Sequence, residues 1–595
     1  MPVMGISASP SHPDVAGDLG LAAARWVWLA ALLSCGGALL FRALEPQTAG
    51  AAQTRLIRAS LAVAGLAWLV WAVAQCATLA GPNPAAWGSV MLHTDFGRAA
   101  LLQLALLAAC RATLSAPPWV AAPLALAAVA AQVAHLHGWA METSPGRLTL
   151  AELAHVLAAA AWLGSLLPLR LGVREAAAAQ NVALLRRYSR RATLFVLLLA
   201  GSAIVQGDVL LGGLPGIAGT PYGWVSVVKL ALFAVLLGFA VRHRWRLPRR
   251  LSGTNPDAAR RSLLRSLAWE ALAGVAVIAA AALLSRLTPG MHAQPEWPFA
   301  WQPSLSAAQE DADIAHKSLL AGGGLALACL LILHAALRRR ARWAALAAAI
   351  VLVSAAAPHL SPLFVPATAT TFYRSPTGFA AAGIAEGATL YAGHCARCHA
   401  AAVPPAGPAM TQLRNHTDGA LFGLLQHGIT AADGTSAMPG FAALLTADER
   451  WQLIDFLRAR NAGQRSATPG FWPQALRAPD LDADCADGSS ISLASVRGRP
   501  VRLVFQSGAP LLPDSSVPPN PAVLTVLVLR PGAHEGTGGD CIASDPSVTA
   551  AYAVVTGLSP GELAGAEIQI GEDGTLRGLR RPPQPAASLA LPAVN

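Results

Sequence analysis

The distribution of apolar and polar positions divides the chain into two unlike parts. Up to about residue 365, apolar residues come in runs of about 20, the length an α-helix needs to cross the hydrocarbon core of a bilayer. These runs lie near 22–44, 57–80, 97–113, 117–138, 149–170, 191–213, 222–243, 262–286, 315–337 and 342–362. Beyond them no run is as long. Residues 379–464 carry helical periodicity, and after Gly463 the chain is rich in proline and glycine. Short apolar stretches at Val501–Phe505, Val523–Leu529, Tyr552–Val555 and Ile568–Ile570 then predict strands. The expected fold class is a polytopic α-helical membrane protein of about ten spans, followed by a small all-α domain and a small α/β domain.

Composition agrees. Of 595 residues, 54% are hydrophobic and only 13% charged, and the mean hydropathy is +0.47, values foreign to a soluble protein. Asp14 and Asp18 sit where a signal peptide would carry Lys or Arg, so the first run is expected to be a retained span. Arginines cluster after the fifth run (Arg174, Arg186, Arg187, Arg190, Arg191), after the seventh (Arg244, Arg246, Arg249, Arg250, Arg260, Arg261) and after the ninth (Arg338, Arg339, Arg340, Arg342). Cytoplasmic segments carry such an excess. Leu214–Tyr222, without charge, and Met291–Asp313, with Glu296, Glu310, Asp311 and Asp313, are then expected outside. The N-terminus and everything beyond residue 365 fall on that same side, the periplasm of a Gram-negative inner membrane. The net charge of +11 is therefore an orientation signal, and no nucleic-acid partner is expected; the surrounding partner is membrane lipid.

Cys35, Cys76, Cys110 and Cys329 fall in or beside spans, where cysteine is ordinarily a small buried hydrophobe. Cys395, Cys398, Cys485 and Cys541 fall in the oxidising compartment, where Cys485 and Cys541 can form a structural disulfide. Residues 394–399 read His-Cys-Ala-Arg-Cys-His, the C-x-x-C-H spacing of covalent c-type haem attachment. Two thiols one turn apart can reach two vinyl groups of one porphyrin, and His399 follows as proximal ligand. A redox C-x-x-C pair or half of a zinc site is the alternative, which the surroundings disfavour. Gly387–Tyr391 leads into the motif on a helix, and Thr446-Ala447-Asp448-Glu449 is a capping box opening a helix at Arg450 to Arg460. That helix would set Trp451, Ile454, Phe456 and Leu457 against Gly387 and Tyr391. Between them, Met438 followed by Pro439 offers a thioether on a stiff segment and is the expected sixth ligand, ahead of Met410, His394, His416 and His427. Residues 379–464 resemble a class I cytochrome c, with an alanine- and proline-rich Ala400–Pro408 after the haem histidine.

Intramembrane histidines are costly and mark sites. His135 and His137 end the fourth run, His155 lies in the fifth and His93 precedes the third; with Met91, Met141, Met291, His292, His316 and His359 they are expected at the periplasmic side. Histidines at helix ends also cap carbonyls or sit at headgroup depth.

Thr94–Ala99, the helix from Leu153 through His155 to Leu166, Tyr222–Lys229, Arg244–Pro248, Glu270, Pro289–His292 and Trp297–Phe299 resemble, in this order, the copper resistance D (CopD) family over roughly 20–360. The linker Tyr373–Pro376 into a cytochrome c is similar to fused members, and His243 stands where the family carries asparagine. The resemblance implies copper handling, by uptake or delivery across the inner membrane, with copper resistance or homeostasis as the role. A periplasmic copper chaperone and redox partners would serve it, and the chain would be an electron carrier and transporter more than a catalyst. Thioether and imidazole suit Cu(I), so Met91, His93, His135, His137, His155, Met291 and His292 are candidate copper ligands beside the haem-iron ligands His399 and Met438. In a second reading, His135 and His155 on consecutive antiparallel spans hold a bis-histidine b-type haem (haem b), making the membrane unit an electron carrier or reductase.

Ser490–Gly498 and Gly571–Arg577 look like a peroxiredoxin or thioredoxin-fold protein, but Gln506-Ser507-Gly508-Ala509-Pro510 has no cysteine where that fold keeps its nucleophile, so a catalytically dead domain for docking or stability is expected. The expected organisation is a CopD-like membrane unit at 1–365, a linker at 366–378, a cytochrome c domain at 379–464 and a degenerate thioredoxin-like domain at 465–595. No Walker or aspartyl-phosphate motif points to ATP as a driver.

Overall fold

The computed structural model describes residues 15–136, 145–175, 178–245, 256–305, 308, 311–337, 342–399, 416–431, 433–466, 472, 475–506, 522–529 and 539–581. The chain divides into two compact units, residues 1–295 and 296–595.

The first unit is wholly helical: α1 (Val15–Leu44), α2 (Ala51–Ala80), α3 (Pro84–His93), α4 (Asp95–Ala112), α5 (Pro118–Ala130) continued by a 3-10 turn to His135, α6 (Pro145–Trp162), α7 (Leu166–Glu175), α8 (Ala178–Leu210), α9 (Gly213–Gly219), α10 (Pro221–Trp245) and α11 (Pro256–Leu284). Its centre is α1, which packs on α2, α5, α6 and α11. Trp28 of α1 stacks on Trp71 of α2, ring centroids 6.3 Å apart, and both are fully buried. Among the described residues of the whole chain, nine helical stretches are long and apolar enough to cross a membrane. The third expected span corresponds to α4, whose 18 residues include Asp95, Arg98 and Arg111. It buries Ala100, Leu107 and Cys110 in the same core.

Several helices start earlier than hydrophobicity predicts, because a helix need not stop where the hydrocarbon does. The clearest case is α8, which begins at Ala178 and carries Arg186, Arg187, Arg190 and Arg191 on helix where a loop is expected. Arg187 and Arg191, one turn apart, reach the fully buried carboxylate of Glu45 at 2.7 and 2.8 Å. A carboxylate buried this deeply persists only when paired, and burial plus these two guanidinium groups fixes where α8 meets the end of α1.

The second unit opens with β1 (Trp301–Pro303), the helical hairpin α12 (Ala312–Leu337) and α13 (Arg342–Leu360), and β2 (Phe364–Pro366), which pairs antiparallel with β1. Trp297, Phe299, Trp301, Phe364 and Phe372 gather in edge and stacked contacts around that pairing, the amphipathic aromatic composition favoured at a membrane surface. Then follow α14 (Ala381–His394), α15 (Ala396–His399), α16 (Asp418–His427), the two-stranded ribbon β3 (Ile429–Thr430) and β4 (Ser436–Met438), and α17 (Ala447–Ser466).

The remainder forms a seven-stranded sheet of β5 (Asp482–Cys485), β6 (Ser490–Ser492), β7 (Val501–Phe505), β8 (Leu524–Val528), β9 (Cys541–Ala543), β10 (Glu567–Ile570) and β11 (Leu576–Arg580), in the order β11-β10-β7-β8-β9-β5-β6. Strands β7, β8 and β9 run parallel and the other pairings are antiparallel. Cys485 and Cys541 lie opposite each other on β5 and β9 and form a disulfide. One strand expectation fails: Tyr552–Val555 lies in helix α18 (Pro546–Thr556). Asp545 caps it, Pro546 starts it, and Val548, Ala551, Tyr552 and Val555 form a buried stripe at helical spacing. This helix packs on α14 and α17, and Ala381, Ile384 and Ala459 join the apolar core of the sheet. The C-x-x-C-H helix and the sheet thus share a core.

Candidate functional site

The haem motif sits where α14 passes into α15. Backbone bonds from Cys398 N and His399 N to the Cys395 carbonyl, 3.1 and 2.9 Å, wind residues 395–399 into one turn, so both thiols and the imidazole share one side of the chain. Both thiols are free; Cys395 is half-buried, and Cys398 and His399 are exposed. Burial, with the Cys398 thiol beside it, holds the Cys395 thiol above its usual range.

The turn is aimed by a tight helix crossing. A Cβ on Gly387 would stand 2.1 Å from the Gln452 carbonyl oxygen of α17. The close approach lets Tyr391 reach Phe456, ring centroids 5.2 Å apart. The capping box forms as expected: Thr446 N donates to Glu449 Oε2 (2.7 Å) and Glu449 N to Thr446 Oγ1 (3.3 Å). Trp451 stacks on Phe422 of α16 at 4.4 Å, and the Arg450 guanidinium lies 4.5 Å from the centre of the same ring.

Met438 is placed by a chain reversal after α16. Gly428 ends α16 with φ of 75°, a left-handed conformation that glycine alone adopts freely, and a Cβ there would strike the Met438 carbonyl at 2.3 Å. The chain reverses into β3, Ile429 pairs with Met438, and Phe441 N bonds back to the Leu425 carbonyl (2.8 Å). Met438 and Cys395 both pack on the apolar cluster of Leu390, Phe422, Leu425, Trp451 and Ile454. Two free thiols and an exposed imidazole on one turn, with a half-buried thioether that shares an apolar cluster with Cys395, are the donor set a c-type haem requires. The residues fit it. His394, His416 and His427 are exposed; Met410 lies outside the described residues.

The candidate copper ligands separate. His135 is wedged between aromatic rings, 5.1 Å from Trp71 and 5.2 Å from Phe96, and Met91 packs against the large hydrophobic core to which Trp71 belongs. His93 is exposed and, among the described residues, bonds within α3 to Ser89. His155 faces α8, its Nδ1 2.9 Å from Ser202 Oγ. Met291 packs near Tyr222 and Leu284, with His292 exposed beside it. His137 lies outside the described residues. Among the described residues no three of His, Cys, Asp and Glu converge. The hydrogen-bond partners of His135 and His155 lie on different helices, α4 and α8.

Sequence reasoning passed over the residues that orient His135. Gln103 of α4 gives its amide N–H groups to the Ala128 carbonyl and to Gln132 Oε1, both 3.2 Å, which leaves Gln103 Oε1 to accept from His135 Nε2 at 3.2 Å. Trp28 Nε1 donates to the same Gln132 oxygen. Nε2 therefore carries the ring proton and Nδ1 the lone pair. Nδ1 is buried and, among the described residues, without a hydrogen-bond partner. Two glutamines inside otherwise apolar runs were the signal available in the sequence.

No curated protein and no solved structure matches the chain. Family models do. Residues 16–142 match Copper resistance protein D-like, N-terminal domain, residues 182–284 match Copper resistance protein D, and residues 382–457 match Cytochrome C oxidase, cbb3-type, subunit III. His135 and the helices around it fall in the first match and the haem turn in the third, so the chain carries a multi-pass copper resistance protein D region fused to a cytochrome c domain.

Proposed function

We propose that this chain moves or delivers copper at the periplasmic face of a bacterial inner membrane, and that its cytochrome c domain, in the periplasm, exchanges electrons with a redox partner there. The arginine distribution of the segments between spans supports this orientation. Cys395 and Cys398 would hold the haem by thioether bonds, and His399 and Met438 would hold its iron. Bound there, haem supplies one-electron transfer at a potential raised by His/Met ligation. With both His399 and Met438 holding it, the iron would be suited to electron transfer more than to catalysis. Residues 465–595 act as a catalytically silent thioredoxin-like domain that supports the haem helices.

The buried, unpartnered Nδ1 of His135 carries the copper reading. A metal-binding histidine needs its second nitrogen fixed by a hydrogen bond, and Gln103 supplies that bond. Met91, which packs against the hydrophobic core that contains Trp71, would add a thioether, and imidazole with thioether favours Cu(I). Arg25, whose guanidinium lies 5.6 Å from the Trp71 ring centre and donates to the His135 carbonyl, sets a fixed positive charge beside the site. Its repulsion scales with ionic charge, so it penalises divalent ions twice as much as Cu(I). A competition titration of the full chain with a Cu(I) chelator tests the assignment. His135→Ala lowers Cu(I) affinity at least tenfold while His93→Ala leaves it unchanged; equal affinity in the His135 variant refutes it.

A further inference from the structure

The four arginines at the start of α8 fall into two pairs with different fates. Arg187 and Arg191 turn to Glu45. Arg186 and Arg190, also one turn apart, line a cavity of about 440 Å³ with Leu185, Ser189, and His243 and Arg244 from the last turn of α10. Among the described residues no carboxylate pairs with Arg186, Arg190 or Arg244; Arg244 donates to the Thr193 hydroxyl instead. The buried Glu270 lies 2.9 Å from His243 Nδ1, and His243 Nε2 lies 2.9 Å from Ser266 Oγ, so the imidazole is held by α11. Between Glu175 and Asp257 the one acidic residue in the sequence is Asp208, which pairs with Arg147 at the far end of α8. A concave site with a hydroxyl and three guanidinium groups that have no carboxylate partner among the described residues is built for an anion with several acceptor oxygens.

The surroundings identify which anion. Continuing the Arg186–Arg190 stripe along α8 gives Leu194 and Leu197, and next to Arg244 on α10 lies Val241; all three are more than half exposed. Of the nine spans, α10 buries the least. A phosphate in the cavity would therefore have exposed apolar helix surface directly alongside, on the membrane side. Basic pockets at span ends hold acidic headgroups in this way. We propose that the cavity between α8 and α10 binds the phosphate headgroup of an anionic phospholipid, whose acyl chains lie along Leu194, Leu197 and Val241.

The test is equilibrium binding of fluorescent phosphatidylglycerol to the purified full chain in a non-ionic detergent. Unlabelled phosphatidylglycerol should compete, whereas phosphatidylcholine and millimolar inorganic phosphate should not. Arg186→Gln with Arg190→Gln should weaken binding at least tenfold. Arg55→Gln with Arg58→Gln, which removes the same charge from the exposed start of α2, should change it less than twofold. Arg244→Gln alone should weaken binding in the same sense and serves if the double variant is not recovered with full haem content and a single elution peak. Equal weakening by the α2 control means diffuse charge attraction and overturns the proposal. Competition by inorganic phosphate means a soluble anion is the ligand, and undiminished binding in both pocket variants means the cavity is not the site; either result also overturns it.

Discussion

The carbonyl oxygen of Gln452 lies 2.1 Å from the point a Cβ on Gly387 would occupy. Backbone therefore meets backbone where α14 crosses α17, and one methyl group must force the helices apart. Gly387→Ala should destabilise the haem domain by about 1–3 kcal/mol, the usual cost of overpacking. Denaturant unfolding followed at the haem absorption band measures this, and unchanged stability would show that the crossing yields freely.

Covalent haem attachment depends on Cys395 and Cys398 together. Replacing both with Ala should abolish haem staining on a denaturing gel, because His399 and Met438 alone supply no covalent bond. Staining that survives would place the attachment elsewhere.

Met438→His should lower the midpoint potential and leave haem covalently bound, since His/Met ligation is the higher-potential arrangement. Redox titration with parallel spectra checks it. An unaltered potential and spectrum would remove Met438 from the iron.

Much of this site was legible in the sequence because each part is a local code. The C-x-x-C-H turn, the capping box at Thr446 and Glu449, and a Met-Pro pair signal themselves within a few residues. The spans were legible from hydrophobic length, but not their starts: α8 extends to Ala178 because Glu45, more than 130 residues earlier by sequence number, offers its arginines a buried partner. Tyr552–Val555 misled because a short apolar run fits strand or helix; the cap at Asp545 and the packing of α18 on α14 and α17 decide for helix. The copper candidates were grouped by membrane depth, which carries no information on which helix each side chain faces. His155 consequently turns to Ser202 while His135 turns to Gln103.

Asp455 gives the haem domain a pH dependence of its own. Its carboxyl is buried in α17, accepts a hydrogen bond from the Thr377 hydroxyl, and is pushed up to about 6, chiefly by burial. A carboxyl raised in the folded state contributes stability that is fully present below its unfolded value, near 3.8, and is lost as pH rises through about 6. The contribution is on the order of 2–3 kcal/mol. Asp455→Asn should therefore gain stability relative to the parent as pH rises from about 4 to 7, read by urea unfolding at a series of pH values. A constant difference across that range would mean that Asp455 stays ionised in the fold.

The proposed copper site rests on a histidine whose lone pair is fixed by a glutamine, so the most direct measurement is the Cu(I) affinity of Gln103→Leu. The variant keeps His135, Met91 and the haem domain but frees the imidazole to change tautomer. Loss of such an orienting partner typically costs 10–100-fold in metal affinity, and the account predicts a loss in that range with covalent haem content unchanged. Cu(I) binding as tight as the parent's in both Gln103→Leu and His135→Ala would contradict it.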